Sequence, residues 1–212
     1  IYFKLYHLTT TMPSPIISPE LLMARGATVK EVQKGETIFR EGTHCCFYYQ
    51  VMSGQVRWVN INDEGREFLQ SIILSGESFG EIPLFDDGTY VSTAIADQDT
   101  TLLRLGKSAF LELIKEDPEI HMRFTSLMTE RLRFKFMVVK EMASYSPEHC
   151  ITTLLHYFKD KQKFTSENEH RITLTRQQIA DMTGLRVETV IRAIRHLHEK
   201  GQLVIERGKV YC

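Results

Sequence analysis

Glu188 and Arg192 stand one helical turn apart near the C-terminus, with Arg186 and Arg195 close by. At i, i+4 on a helix both side chains leave the same face. A guanidinium can donate two parallel N–H groups to O6 and N7 of guanine, and a carboxylate can accept from N4 of cytosine. The competing reading is a solvated i, i+4 ion pair, worth roughly 0.2–0.5 kcal/mol. The residues around them favour base reading.

Thr175 reads as the N-cap of a helix over "RQQIADMTG", and Gln178 completes a capping box. Ile179 and Met182 face inward, and Gly184 supplies a tight turn. The next helix is expected from Val187 to Lys200, with Val190, Ile194 and Leu197 as its buried stripe and Gly201 at its end. "LVIE-RG-KVYC" then reads as a two-stranded wing with Gly208 in the turn. Two short helices, a glycine turn and a wing are the frame that sets a helix N-terminus into the major groove.

Charge agrees with that frame. The whole chain of 212 residues has a formal net charge of −1. From His170 to Cys212, however, eight Lys/Arg face four Asp/Glu, and the remainder carries 18 against 23. A basic module that meets phosphate, joined to an acidic one, accounts for the asymmetry.

The length suits two domains, each able to bury a core. From Met23 to Arg104 the segments "ATVKEVQ", "ETIFRE", "CFYYQVMSG", "QVRWVNIND" and "REFLQSIIL" read as strands separated by glycine turns, an antiparallel roll or barrel. Asp63-Glu64-Gly65 fits a hairpin turn. A short amphipathic helix follows Gly106, and Pro118 fits the first turn of a longer helix reaching about Ala143. At about 24 residues that helix would be roughly 36 Å long. Its apolar residues recur on two faces, so a dimer seam is expected in preference to a core helix lying on the roll, the seam lined by Phe124, Leu127, Met128, Arg131, Phe134 and Val138. Ser146-Pro147 starts another helix, which buries Ile151, Leu154, Leu155 and Phe158.

The expected fold class is α+β: an N-terminal extension (1–22), a β-roll of jelly-roll type (23–116), a long dimerisation helix (117–143) and a winged helix-turn-helix (144–212). Met12 is a candidate natural start, which would make residues 1–11 an extension. Lys4 and His7 interrupt the opening before it reaches signal-peptide length, and no stretch has the roughly 18 apolar residues of a membrane span. Cys45, Cys46, Cys150 and Cys212 form no CxxC pair, so neither a disulfide framework nor a metal site is expected, and the compartment expected is the cytoplasm.

"GESFGEIPLFDDGTYVSTA", the long helix, and "LTRQQIADMTGLRVETVIRAIRHLHEKGQL" together resemble the CRP/FNR family of bacterial transcription regulators over about Gly26 to Cys212. Val187 before Glu188-Thr189-Val190-Ile191-Arg192 resembles its FNR-like members. The resemblance implies a homodimer on a twofold site of double-stranded DNA with TTGA-like half-sites, acting with RNA polymerase. It implies base contacts from Arg186, Glu188 and Arg192, and phosphate contacts from Thr175, Arg176, Gln177, Thr189 and Arg195.

In cyclic-nucleotide members of that family the roll segment holds sugar and phosphate. Gly80, Glu81 and Ser92 match positions of that pocket, but Val91 stands where an Arg neutralises the phosphate, and Lys135 and Phe136 replace purine-facing residues of the long helix. Taking an uncompensated phosphate charge into a cavity costs several kcal/mol. Gly80, Glu81, Val91, Ser92 and Lys135 are therefore expected to be vestigial, with no cofactor and cAMP not the effector. An iron–sulfur sensor would need N-terminal cysteines, and none precedes Cys45. His44, His121 and His149 leave open a haem-responsive regulator whose DNA binding requires its ligand, and a cyclic-nucleotide-responsive one is the companion alternative. Cys45 and Cys46 read as two buried thiols. A cupin-like enzyme would need clustered His and Glu on strands, and the roll has only His44. The chain is not expected to be an enzyme.

Overall fold

The computed structural model describes residues 15–166 and 171–212. The 1–11 extension and the end of the polar segment "FTSENEH" lie outside the described residues. The chain divides into two compact units, residues 1–60 with 71–124 and residues 61–70 with 125–212.

In the first unit Ser18 caps α1 (Pro19–Ala24), accepting from the Leu21 N–H at 3.2 Å. Ile17 and Leu22 are fully buried there, and Gln50 Nε2 donates to the Ile17 carbonyl at 3.1 Å. Ile17 and Leu22, read from sequence as part of an extension, thus belong to the core of this unit. The strands that follow are β1 (Thr28–Val32), β2 (Thr37–Phe39), β3 (Phe47–Ser53), β4 (Val56–Ile61), β5 (Glu67–Ile73), β6 (Ser78–Phe79), β7 (Thr93–Ala96) and β8 (Thr100–Gly106). They form two four-stranded sheets, ordered β1-β8-β3-β6 and β2-β7-β4-β5. The pairings β1–β8, β3–β8, β3–β6, β2–β7 and β4–β7 are antiparallel.

The sequence-predicted turn at 63–65 joins β4 to β5. Asn62 Oδ1 accepts from the N–H groups of Glu64 and Arg66, and Gly65 takes the positive φ of 77° that the turn requires. A short helix α2 (Ile82–Asp86) interrupts the roll and was not legible in the sequence. Aromatic rings fill the core: Tyr48 stacks on Phe110 at 4.9 Å, and Phe110 meets Phe124 edge-on at 5.3 Å.

Phe110 lies on α3 (Lys107–Glu116), and α4 (Pro118–Ser144) follows as one helix of 27 residues. Asp117 Oδ1 caps α4 by accepting from the Glu119 and Ile120 N–H groups, both at 3.0 Å. The second unit adds α5 (Pro147–Asp160), capped by Ser146, then β9 (Arg171–Ile172), α6 (Arg176–Thr183), α7 (Val187–Glu199), β10 (Val204–Glu206) and β11 (Lys209–Tyr211). Its sheet is ordered β10-β11-β9. Arg207 and Gly208 both take positive φ, 48° and 78°, the signature of a type I′ hairpin turn whose twist suits the wing.

Candidate nucleic-acid interface

The capping box at the start of α6 is complete. Gln178 N–H donates to Thr175 Oγ1 at 3.1 Å, and Thr175 N–H donates to Gln178 Oε1 at 2.9 Å. Ile179, Ala180, Met182 and Thr183 are buried, and Thr183 satisfies its hydroxyl on the Ile179 carbonyl at 2.7 Å. Gly184 ends α6 in the left-handed region with φ 67°. A Cβ there would stand 2.9 Å from Met142 Cε, the free end of a flexible side chain that can move aside, so it is the backbone angle that selects glycine. Arg66 Nη2 donates to the carbonyls of Gly184 and Leu185 at 2.8 and 3.2 Å. These bonds satisfy two carbonyls of the turn between α6 and α7. Nothing local in the sequence marks Arg66 for this role, which depends on a partner 118 residues away.

On α7, Val190, Ala193, Ile194 and Leu197 are buried. The opposite side exposes Glu188, Arg192 and Arg195, and Arg186 is exposed at the N-cap. An acid in the first turn complements the positive end of the helix dipole. Its neighbour Thr189 is half-buried. Thr175 and Gln177 are exposed at the start of α6. Gln177 Nε2 donates to Asp181 Oδ1 at 2.8 Å. Arg176 is half-buried, and burial lowers its pKa from the ordinary guanidinium value. Its Nη2 donates to the Gly208 carbonyl in the wing turn at 3.1 Å.

The residues read as a dimer seam divide differently from the sequence expectation. Phe124 is 1% exposed and packed among the rings of the first unit, so it cannot meet a second copy. Val138 is also buried. Leu127, Met128, Arg131 and Phe134 are half-buried, and Phe134 packs on Tyr157 at 4.8 Å. The exposed apolar residues of α4 are instead Met122, Leu132, Phe136, Val139 and Met142. Helical spacing identifies two apolar faces, and the chain's own fold covers the one that carries Phe124 and Val138.

The positions expected from sequence to be a vestigial nucleotide pocket are spread over both units. Gly80 (φ 72°) has the Phe39 ring 2.8 Å from where a Cβ would be, a packing reason for glycine that involves no ligand. Glu81 is fully buried at the N-cap of α2. Val91 is exposed, and its carbonyl accepts from Asn60 Nδ2 at 2.7 Å. Ser92 is buried, with its hydroxyl making no hydrogen bond among the described residues. In the second unit Lys135 Nζ donates to the Gln70 carbonyl at 2.8 Å and to its side-chain oxygen. Burial, and then the charge of Arg131, bring the Lys135 pKa down to about 8.

The haem candidates sit on the surface: His44 and His121 are exposed, and His149 Nε2 lies 3.0 Å from Glu141 Oε2. Cys45 is buried and burial raises its pKa, but Cys46 is exposed, contrary to the two-thiol reading. Among the described residues no helix is long and apolar enough to cross a membrane.

Comparison with known proteins agrees with this architecture. Residues 29–117 match the family described as cyclic nucleotide-binding domain, and residues 148–211 match the Crp-like helix-turn-helix domain. The chain is 30% identical to the cAMP-activated global transcriptional regulator CRP of Haemophilus influenzae over 175 residues, covering 82% of this chain and 78% of that one. In fold it is similar to FixK2 from Bradyrhizobium japonicum (TM-score 0.72, 23% identity, 87% and 91% of the two chains covered). It is also similar to the c-di-GMP responsive global regulator CLP of Xanthomonas campestris (TM-score 0.73, 20% identity, 91% and 98% covered). A roll of the cyclic nucleotide-binding type, a long helix and a DNA-binding helix-turn-helix on one chain, with a relative at this identity, place it: the chain belongs to the CRP/FNR family of transcription regulators.

Proposed function

We propose that this regulator binds, as a homodimer, a palindromic DNA site with TTGA-like half-sites. The observation that carries the reading is the exposed face of α7, where Glu188 and Arg192 stand one turn apart on a helix anchored by a buried stripe. Arg192 donates to guanine, Glu188 accepts from cytosine N4, and Arg186 reaches an adjacent base edge. Thr175, Arg176, Gln177, Thr189 and Arg195 hold phosphates and so set the position without reading sequence.

The dimer forms along the exposed stripe of α4. Met122, Leu132, Phe136 and Val139, with Thr125 and Thr129 between them, follow the alternating three- and four-residue spacing of a coiled-coil seam. Leu132, Phe136 and Val139 are 56%, 68% and 64% exposed, more contiguous apolar surface than a lone helix face keeps in water. RNA polymerase is the further partner and the cytoplasm the compartment. The sensor, helix and DNA-binding portions are taken as 17–116, 117–143 and 144–212, the first widened from 23–116 to include the buried Ile17 and Leu22.

DNA binding does not depend on cAMP, because Val91 supplies no charge for a cyclic phosphate. A second reading, a regulator whose DNA binding requires a cyclic nucleotide or haem, draws support from the buried, unbonded hydroxyl of Ser92. The cAMP-activated and c-di-GMP responsive relatives also speak for it. Selection of bound sequences from random DNA with the purified protein tests both. A palindromic site recovered without added ligand supports the first reading. Recovery only with a ligand supports the second, and no recovery under any condition overturns both.

A further inference from the structure

Ile191 lies on α7 between buried Val190 and exposed Arg192. Its branched apolar side chain is 41% exposed. With 3.6 residues per turn, the buried stripe takes one side of the helix and Glu188, Arg192 and Arg195 the other. Ile191 falls at the margin of the polar face, one turn beyond Val187, which is itself only half-buried. The two form an i, i+4 apolar strip beside three charged residues. A scattered exposed isoleucine needs no explanation in general. This one stands on the surface that would enter a groove, flanked by groups suited to phosphate and base edges. The apolar group that a major groove presents there is the 5-methyl of thymine.

We infer that Ile191 is a specificity-determining residue, packing against the 5-methyl group of one thymine in each half-site. The inference rests on the base-reading role of α7 proposed above. Its chemistry separates thymine from cytosine. Cytosine has no methyl group and presents its N4 amino group, which would lose water beside a side chain with no acceptor. Arg192 and Glu188 read by hydrogen bonds, and Ile191 adds a reading by shape and desolvation.

The test uses the full chain and the site recovered by selection. Each thymine is replaced in turn, in both half-sites, by deoxyuridine, which keeps the pairing and removes only the methyl group. One thymine position is expected to lose about fourfold in affinity per half-site, the effect of burying one methyl-sized group at roughly 0.8 kcal/mol. With Ile191→Ala that position should become indifferent to the methyl group, while the Arg192-dependent guanine preference persists. Silence of every deoxyuridine substitution in the native protein would overturn the inference, as would a methyl effect of full size in Ile191→Ala. Either result, with the guanine preference intact, leaves base reading by α7 standing. Loss of all sequence preference in the selection overturns both together. Ile191→Val, which keeps the branched shape, should retain most of the effect and separate a contact with thymine from a change in helix stability.

Discussion

Arg176 Nη2 and the Gly208 carbonyl, 3.1 Å apart, tie the first turn of α6 to the turn of the wing. A residue proposed to hold phosphate therefore also braces the hairpin beside the recognition helix. Replacing Arg176 by Ala should weaken binding to specific and scrambled DNA alike, and reduce the log–log salt slope by about one for each phosphate no longer neutralised. Titration at several salt concentrations measures both. A weakening confined to the specific site would show that the guanidinium does not hold a phosphate.

Arg192→Ala makes the opposite demand on the same titrations. It should cost about 1–3 kcal/mol per half-site and relax the preference at one guanine, leaving scrambled DNA much less affected. Equal losses on both DNAs would remove Arg192 from base reading.

Charged replacements in the α4 stripe, Leu132→Glu with Phe136→Glu, should give monomers in sedimentation and weaken binding to two-half-site DNA. Both side chains are exposed, so the monomer should keep its fold. An unchanged dimer would place the seam elsewhere.

Calorimetry should detect no appreciable cAMP binding, because Val91 leaves the phosphate charge uncompensated. Micromolar affinity would refute this. Val91→Arg should then strengthen the binding further.

Lys135 should titrate near 8, measurable by NMR of its side-chain nitrogen. The sign of the linkage follows from the lowered native pKa. The unfolded chain, with an ordinary lysine pKa, binds the proton more tightly, so this group lowers stability below about pH 8. That penalty is relieved as pH rises from there toward the ordinary lysine value. The two bonds from Nζ to Gln70 oppose the effect of burial, so Gln70→Leu should push the pKa lower still.

Much of the fold was legible because local rules act over three to seven residues. Thr175 and Gln178 form their capping box, Ser146 caps α5, Gly184 takes the left-handed turn, and Ile151, Leu154, Leu155 and Phe158 are all buried. The strands β1 to β5 were legible by their β-branched and aromatic residues between glycine turns. The helix α2 was hidden because it is five residues long inside a segment dominated by turns. Ile17 was set apart because its partner, Gln50, is 33 residues away.

By itself the sequence determined the two-part plan, the long helix and the recognition helix with its charged face, since periodicity, caps and charge are properties of neighbouring residues. Only the tertiary structure decided which apolar side of α4 is exposed, leaving Leu132, Phe136 and Val139 in water while Phe124 and Val138 are covered. It also decided that Arg176 meets the wing, that Arg66 meets the helix-turn-helix turn, and that Ile191 stays in water. A helical period says that two faces differ. Which face is covered depends on segments far away in the chain, and that information exists only once the chain has folded.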